Sequence, residues 1–149
     1  MAEAIATSTS GGRFIGYSAG SHPGGVVNSF ALEMIESLHY PNEKLRSKSW
    51  DEFAMPGAPQ MDFIITVCDQ AAGETCPIWP GRPVTAHWGF PDPAAATGSD
   101  QQKRMAFRQV FAGINSRIRI MLDLPVDRLD AASMQAELRN IGKTPPTSQ

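Results

Sequence analysis

Apolar residues recur at helical spacing in some stretches of this 149-residue chain and run together or alternate in others. Asn28 stands where a cap belongs, and Phe30, Ala31, Met34, Ile35 and Leu38 share one face of the helix it would start, with Pro41 stopping that helix. Ser99 and Gln102 form a capping box ahead of the longest apolar face, carried by Phe107, Val110, Phe111, Ile114, Ile118, Met121 and Leu122. A last helix is predicted from Asp130 to Gly142, with Leu129 and Met134 placed as a hydrophobic staple and Leu138 and Ile141 turned inward. Ala2 to Ala6 reads as a short helical stretch followed by a Ser-Thr-Ser-Gly-Gly loop. Phe14 to Ser18 reads as a strand entering a glycine-rich turn that contains His22 and Pro23. Phe63 to Val67 is an unbroken apolar run rich in β-branched residues, the pattern of a strand covered on both faces, and Val84 to Trp88 is a further strand. Strands alternating with amphipathic helices predict an α/β fold, an open parallel sheet flanked by helices. The expectation is one domain over residues 1–142 and a disordered tail, 143–149. Ligands of such sheets gather beyond the carboxyl ends of the strands, which is where Cys68 falls.

Composition narrows the function classes. With 42% apolar and 19% charged residues the chain is that of an ordinary globular protein, and a net charge of −2 supplies no basic field for nucleic acid. No apolar run approaches the roughly 18 residues of a membrane span. The amino-terminal residues lack the charged and apolar regions of a secretory signal, so a cytoplasmic location is expected. In that setting Cys68 and Cys76 are expected as reduced thiols or a transient disulfide rather than a structural staple.

Residues 66–93 hold both cysteines together with His87, Trp88 and Asp92. Read alone, Cys68 is either an inert buried thiol or a reactive one, and Cys76, in a loop before Pro77, is either a chance surface thiol or a reactive one. Asp92 lies between two prolines, which aim its carboxyl group; it is either a turn former or a proton donor to a leaving oxygen. His87 and Trp88 are expected to support the Asp92 loop by packing and a hydrogen bond, and His22 to be a solvated loop residue. Arg104, Arg108, Arg117 and Arg119 read as a solvated helix face. Cys68, Cys76 and His87 are too few for a structural zinc site, so no metal or other cofactor is expected.

Tyr17 to Pro23 (YSAGSHP), Leu45 to Phe53 (LRSKSWDEF), Phe63 to Asp69 (FIITVCD), Cys76 to Pro80 (CPIWP) and His87 to Pro93 (HWGFPDP) follow one another in an order that resembles arsenate reductases of the low-molecular-weight tyrosine phosphatase superfamily. The resemblance implies a phosphatase-like α/β fold and arsenate, or a phosphate-like oxyanion, as substrate. It also implies a thiol reductant, thioredoxin or glutathione with glutaredoxin. It matches Cys68 to the family's second cysteine, Cys76 to the third and Asp92 to the general acid. The family's nucleophile sits in a Cys-x5-Arg loop after an amino-terminal strand, and no such loop precedes Phe14.

Met1 to Ile5 resembles the helix that follows the loop, so the expectation is a start that omits the first strand and the nucleophile, leaving these residues inactive by themselves. Cys76 to Arg82 satisfies Cys-x5-Arg by counting, but Pro77 and Pro80 remove two of the N–H donors that an oxyanion cradle needs. A noncatalytic binding relative and a small dithiol redox protein using Cys68 and Cys76 are the alternative functions.

Overall fold

The computed structural model describes residues 1–69, 73–74 and 77–145. Among these residues the α-helices with described bounds are α1 (Ala2–Thr9), α2 (Ser29–Glu36), α3 (Asp100–Leu122) and α4 (Ala131–Lys143). The described strands, β1 (Phe63–Cys68) and β2 (Val84–Phe90), form a two-stranded parallel sheet. The capping predictions hold. Asn28 Oδ1 accepts from Phe30 N, the Ser99 and Gln102 box is complete in both directions, and Asp130 accepts from Ser133 N. The core is one cluster in which Ile5 of α1, Trp88 and Phe90 of β2, Val110, Ile114 and Ile118 of α3, and Met134, Leu138 and Ile141 of α4 meet.

The strands pair in register from Phe63 opposite Val84 to Thr66 opposite His87, and then Cys68 lies opposite Phe90. Two steps along β1 therefore match three along β2, so β2 carries one extra residue, a bulge that turns the chain toward Asp92. β1 is not covered on both faces as its sequence predicts. Every one of its residues is only half-buried, and among the described residues β2 is its one ladder partner.

Phe14 to Ser18 also departs from expectation, because it forms no ladder. Its polar backbone is satisfied by side chains of α1 and the turn after it: Ser10 Oγ accepts from Phe14 N, and Thr7 Oγ1 accepts from Gly16 N. The segment is drawn so tightly onto α1 that a Cβ on Gly16 would lie 2.5 Å from the carbonyl oxygen of Glu3. Just beyond it, Gly20 makes an isolated parallel bridge with Ser49.

Gly142 does not end the last helix, which runs one residue further. Its lack of a side chain serves packing, since a Cβ there would fall 2.6 Å from the carbonyl oxygen of His87. Helix α4 thus lies directly on β2, and Trp88 Nε1 donates to Leu138 O at 2.8 Å. The predicted tail is corrected at its start, because Lys143 is helical and Thr144 O accepts from Arg117 Nη2. Residues 146–149 of that predicted tail lie outside the described residues.

Arg117 is the exception on the predicted solvated face. It is 5% exposed, lies 4.4 Å over the Phe90 ring and also donates to Gly89 O. Burial lowers the pKa of its guanidinium from the ordinary value. Arg104, by contrast, is exposed and pairs with Glu33, tying α3 to α2.

Candidate functional site

A cavity of about 410 Å³ runs along the open edge of β1, lined by all six residues from Phe63 to Cys68. Tyr17, Trp50, Phe53 and Trp79 give it an aromatic wall, while Ser21, His22, Glu74 and Asp92 supply polar groups. Two aromatic contacts stiffen that wall, Tyr17 edge-on to Phe53 at 5.6 Å and Trp50 edge-on to Trp79 at 6.4 Å. Cys68 ends β1, and Asp92 follows the end of β2, so the parallel pairing delivers a thiol and a carboxyl group to one side of the sheet. This is the carboxyl end at which such sheets bind their ligands.

Asp92 is also a cap. Its Oδ1 accepts from Ala94 N at 2.9 Å and starts the single turn Pro93–Ala95, so Asp92 is a turn former, and it lines the cavity as well. A carboxyl oxygen fixed in this way leaves the other oxygen to face solvent or ligand.

The remaining candidates divide. Cys76 lies outside the described residues. His87 does not support the Asp92 loop; its ring meets Thr66 Oγ1 at 2.7 Å and Asp69 Oδ1 at 3.0 Å. Trp88 is 1% exposed within the core, with its indole N–H on Leu138 O of α4. His22 is exposed as expected, but it stands 3.5 Å from Glu74. At the end of the counted Cys-x5-Arg match, Pro80 and Gly81 form a turn and Arg82 takes φ 52°, after which the chain enters β2 rather than a helix. Among the described residues no group of three or more His, Cys, Asp or Glu could hold a metal ion. Among the same residues no helix is long and apolar enough to cross a membrane.

The sequence model of low molecular weight phosphotyrosine protein phosphatases matches residues 1–137. The chain belongs to that family. Proteins named arsenate reductase are among its relatives. One from Halalkalibacterium halodurans is 35% identical over 103 residues, which is 69% of this chain and 70% of the relative. Those of Bacillus subtilis and Bacillus licheniformis are 31% and 33% identical over 119 residues, 80% of this chain and 82% of each relative.

In this phosphatase-family chain a buried polar cluster stands beside the cavity, and sequence reasoning did not single it out. Glu3 of α1 and Lys48 approach to 3.8 Å with side chains 7% and 6% exposed. Ser18 Oγ donates to Glu3 Oε2 at 2.6 Å, Tyr40 donates to Oε1 at 2.9 Å, and Lys48 Nζ donates to Arg46 O at 3.3 Å. The cluster joins four parts of the chain, α1, the Ser18 segment, Tyr40 beyond α2, and the residues that bridge to Gly20. Lys48 and Glu3 are 45 positions apart by their numbers, so no local pattern could have paired them.

Burial, and then the hydrogen bond to the Glu3 carboxylate, push the Tyr40 phenol up to about 12. The proton is thus held more tightly in the folded protein than in the unfolded chain. Its contribution to stability is present in full below the unfolded value, about 10, and is lost as pH rises through about 12. Ultraviolet titration is expected to show a phenol ionising near 12 that moves partway down in Glu3→Gln, with burial keeping it above the ordinary value. An unchanged curve would remove Glu3 as a cause.

Proposed function

We propose that this chain serves arsenate reduction, supplying a resolving thiol, an outgoing thiol and a proton donor to a nucleophilic Cys-x5-Arg loop borne on a further strand. The observation that carries this reading is that Cys68 and Asp92 line one cavity along the open edge of β1. All six residues of β1 line that cavity, the edge on which a further strand would pair. The relatives named arsenate reductase support the substrate class.

In the reaction so read, a thiolate of the added loop attacks As(V) and Asp92 protonates the oxygen that departs as water. The Cys68 thiolate then attacks that sulfur. A disulfide forms, the sulfur–arsenic bond breaks, and its electron pair leaves with arsenic as arsenite, As(III). Cys76 next attacks Cys68, freeing the first thiol and passing the disulfide outward. A dithiol reductant takes it up, and two thiols are oxidised for each arsenate reduced. Residues 1–149 alone are expected to be silent, because Cys76 to Arg82 has Pro77 and Pro80 where donors are needed.

The test is arsenate-dependent consumption of a thiol reductant by two purified proteins: the 149-residue chain, and the same chain preceded by a strand and Cys-x5-Arg loop grafted from a relative. Turnover only in the second, lost again with Cys68→Ser, is the expected result. Turnover by the 149 residues themselves would overturn the reading, and so would a folded but silent graft.

A further inference from the structure

Asp92 reaches the cavity from an exposed stretch of chain, and what anchors that stretch is one face of α3. Phe90, two residues earlier and opposite Cys68 in the ladder, is 6% exposed. Gly113 and Arg117 of α3, one helical turn apart and so on one face, both meet its ring. A Cβ on Gly113 would lie 2.6 Å from Phe90 Cε1, so the ring rests against the helix backbone, and the Arg117 guanidinium stands 4.4 Å from the ring centroid. The same guanidinium reaches the bulge of β2, where Nη1 donates to Gly89 O at 3.4 Å, and the end of α4, where Nη2 donates to Thr144 O at 3.1 Å. Its Nε is buried and unpaired among the described residues.

We propose that Gly113 and Arg117 are positioning residues for Asp92, seating Phe90 and the bulge of β2 on α3 so that the carboxyl group is delivered to the cavity in one place. From Phe90 the chain has little freedom on its way to Asp92. Pro91 keeps Phe90 extended and has a fixed φ of its own, and Pro93 restricts Asp92 in the same way, at φ −72° and ψ 110°. The turn Pro93–Ala95 that follows packs on α3 as well. Where the Phe90 ring is seated therefore sets where the carboxyl group stands. Burying a cation is costly, and an apolar side chain of similar size would fill such a space at less cost. The guanidinium answers a need that packing alone does not: it donates to a carbonyl on the bulge, where the ladder is disrupted, and it is attracted to the face of the ring. A proton donor acts only within hydrogen-bond reach of the oxygen it serves. What the placement is for rests on the reading of Asp92 as that donor; the placement itself does not.

Backbone nitrogen-15 relaxation of the 149-residue chain tests the placement without any assay of turnover. The order parameters of Asp92 and Ala94 are expected at about 0.85 in the parent and below about 0.6 in Arg117→Met. Arg117→Lys, which keeps a cation for the ring but not the fork to two carbonyls, should lie between. Met134→Ala, a core truncation on α4, should lower the unfolding midpoint and leave both residues ordered, which separates placement from general support. Gly113→Ala, which pushes the Phe90 ring off its seat with the guanidinium intact, should loosen them too, and it carries the test if Arg117→Met does not fold. Asp92 as ordered in Arg117→Met, or in Gly113→Ala in its stead, as in the parent would overturn the proposal. So would a Met134→Ala variant that loosens Asp92 as much. A silent graft in the arsenate assay would remove the reading of Asp92 as a proton donor and leave these order parameters as they are.

Discussion

Replacing Lys48 with alanine is expected to destabilise the protein by about 3–5 kcal/mol, the cost of leaving a buried charge without its partner. The Glu3 carboxylate would keep the hydroxyls of Ser18 and Tyr40 but lose the ammonium 3.8 Å away. Set against a usual net stability of about 5–15 kcal/mol, that loss brings the fold close to its limit. The double variant Glu3→Gln, Lys48→Met should recover much of it, because an amide can accept from one hydroxyl and donate to the other, and the thioether fills the space of the lysine stem. Urea denaturation of the parent, the two single variants and the pair reads the coupling directly. A Lys48→Ala midpoint equal to the parent's would mean that the ammonium does nothing for the carboxylate.

The second large effect is expected at Trp88. The indole fills the space between β2 and α4, and truncation to alanine opens a cavity costing about 3–5 kcal/mol. Trp88→Phe should cost far less, about 1–2 kcal/mol, because most of the apolar contact survives and only the N–H to Leu138 O is lost. That carbonyl, inside α4, still has a helical donor available in Gly142, four residues on. Denaturation midpoints of the two variants check the ranking, and a phenylalanine variant as weak as the alanine one would place the hydrogen bond above the packing.

The helices were legible because capping and apolar periodicity are local. Asn28, Ser99 and Asp130 act as their sequence predicts, each through its own side chain on a nearby N–H. The strands β1 and β2 were legible too, as was the place of Cys68 at the carboxyl end of β1. What sequence could not show depends on partners far along the chain. Phe14 to Ser18 has the composition of a strand, yet Ser10 and Thr7 satisfy its backbone before any strand can. Arg117 looks like its neighbours Arg108 and Arg119, and only the position of Phe90 beneath it reveals a buried cation. Gly142 has the identity of a helix stop, but the nearness of the His87 carbonyl is what requires it. The links from His87 to Asp69 and from Lys48 to Glu3 likewise join residues with no shared local pattern.

The bare margin of β1 also bears on how the molecule behaves among its own copies. A parallel run of six residues, FIITVC, presents β-branched side chains and carries neither proline nor charge, which makes it a template for foreign strands. Asp62 and Asp69 bracket it as acidic gatekeepers, one at each end. Neutralising that pair by substitution would remove the electrostatic guard and leave crowded solutions prone to intermolecular sheet growth.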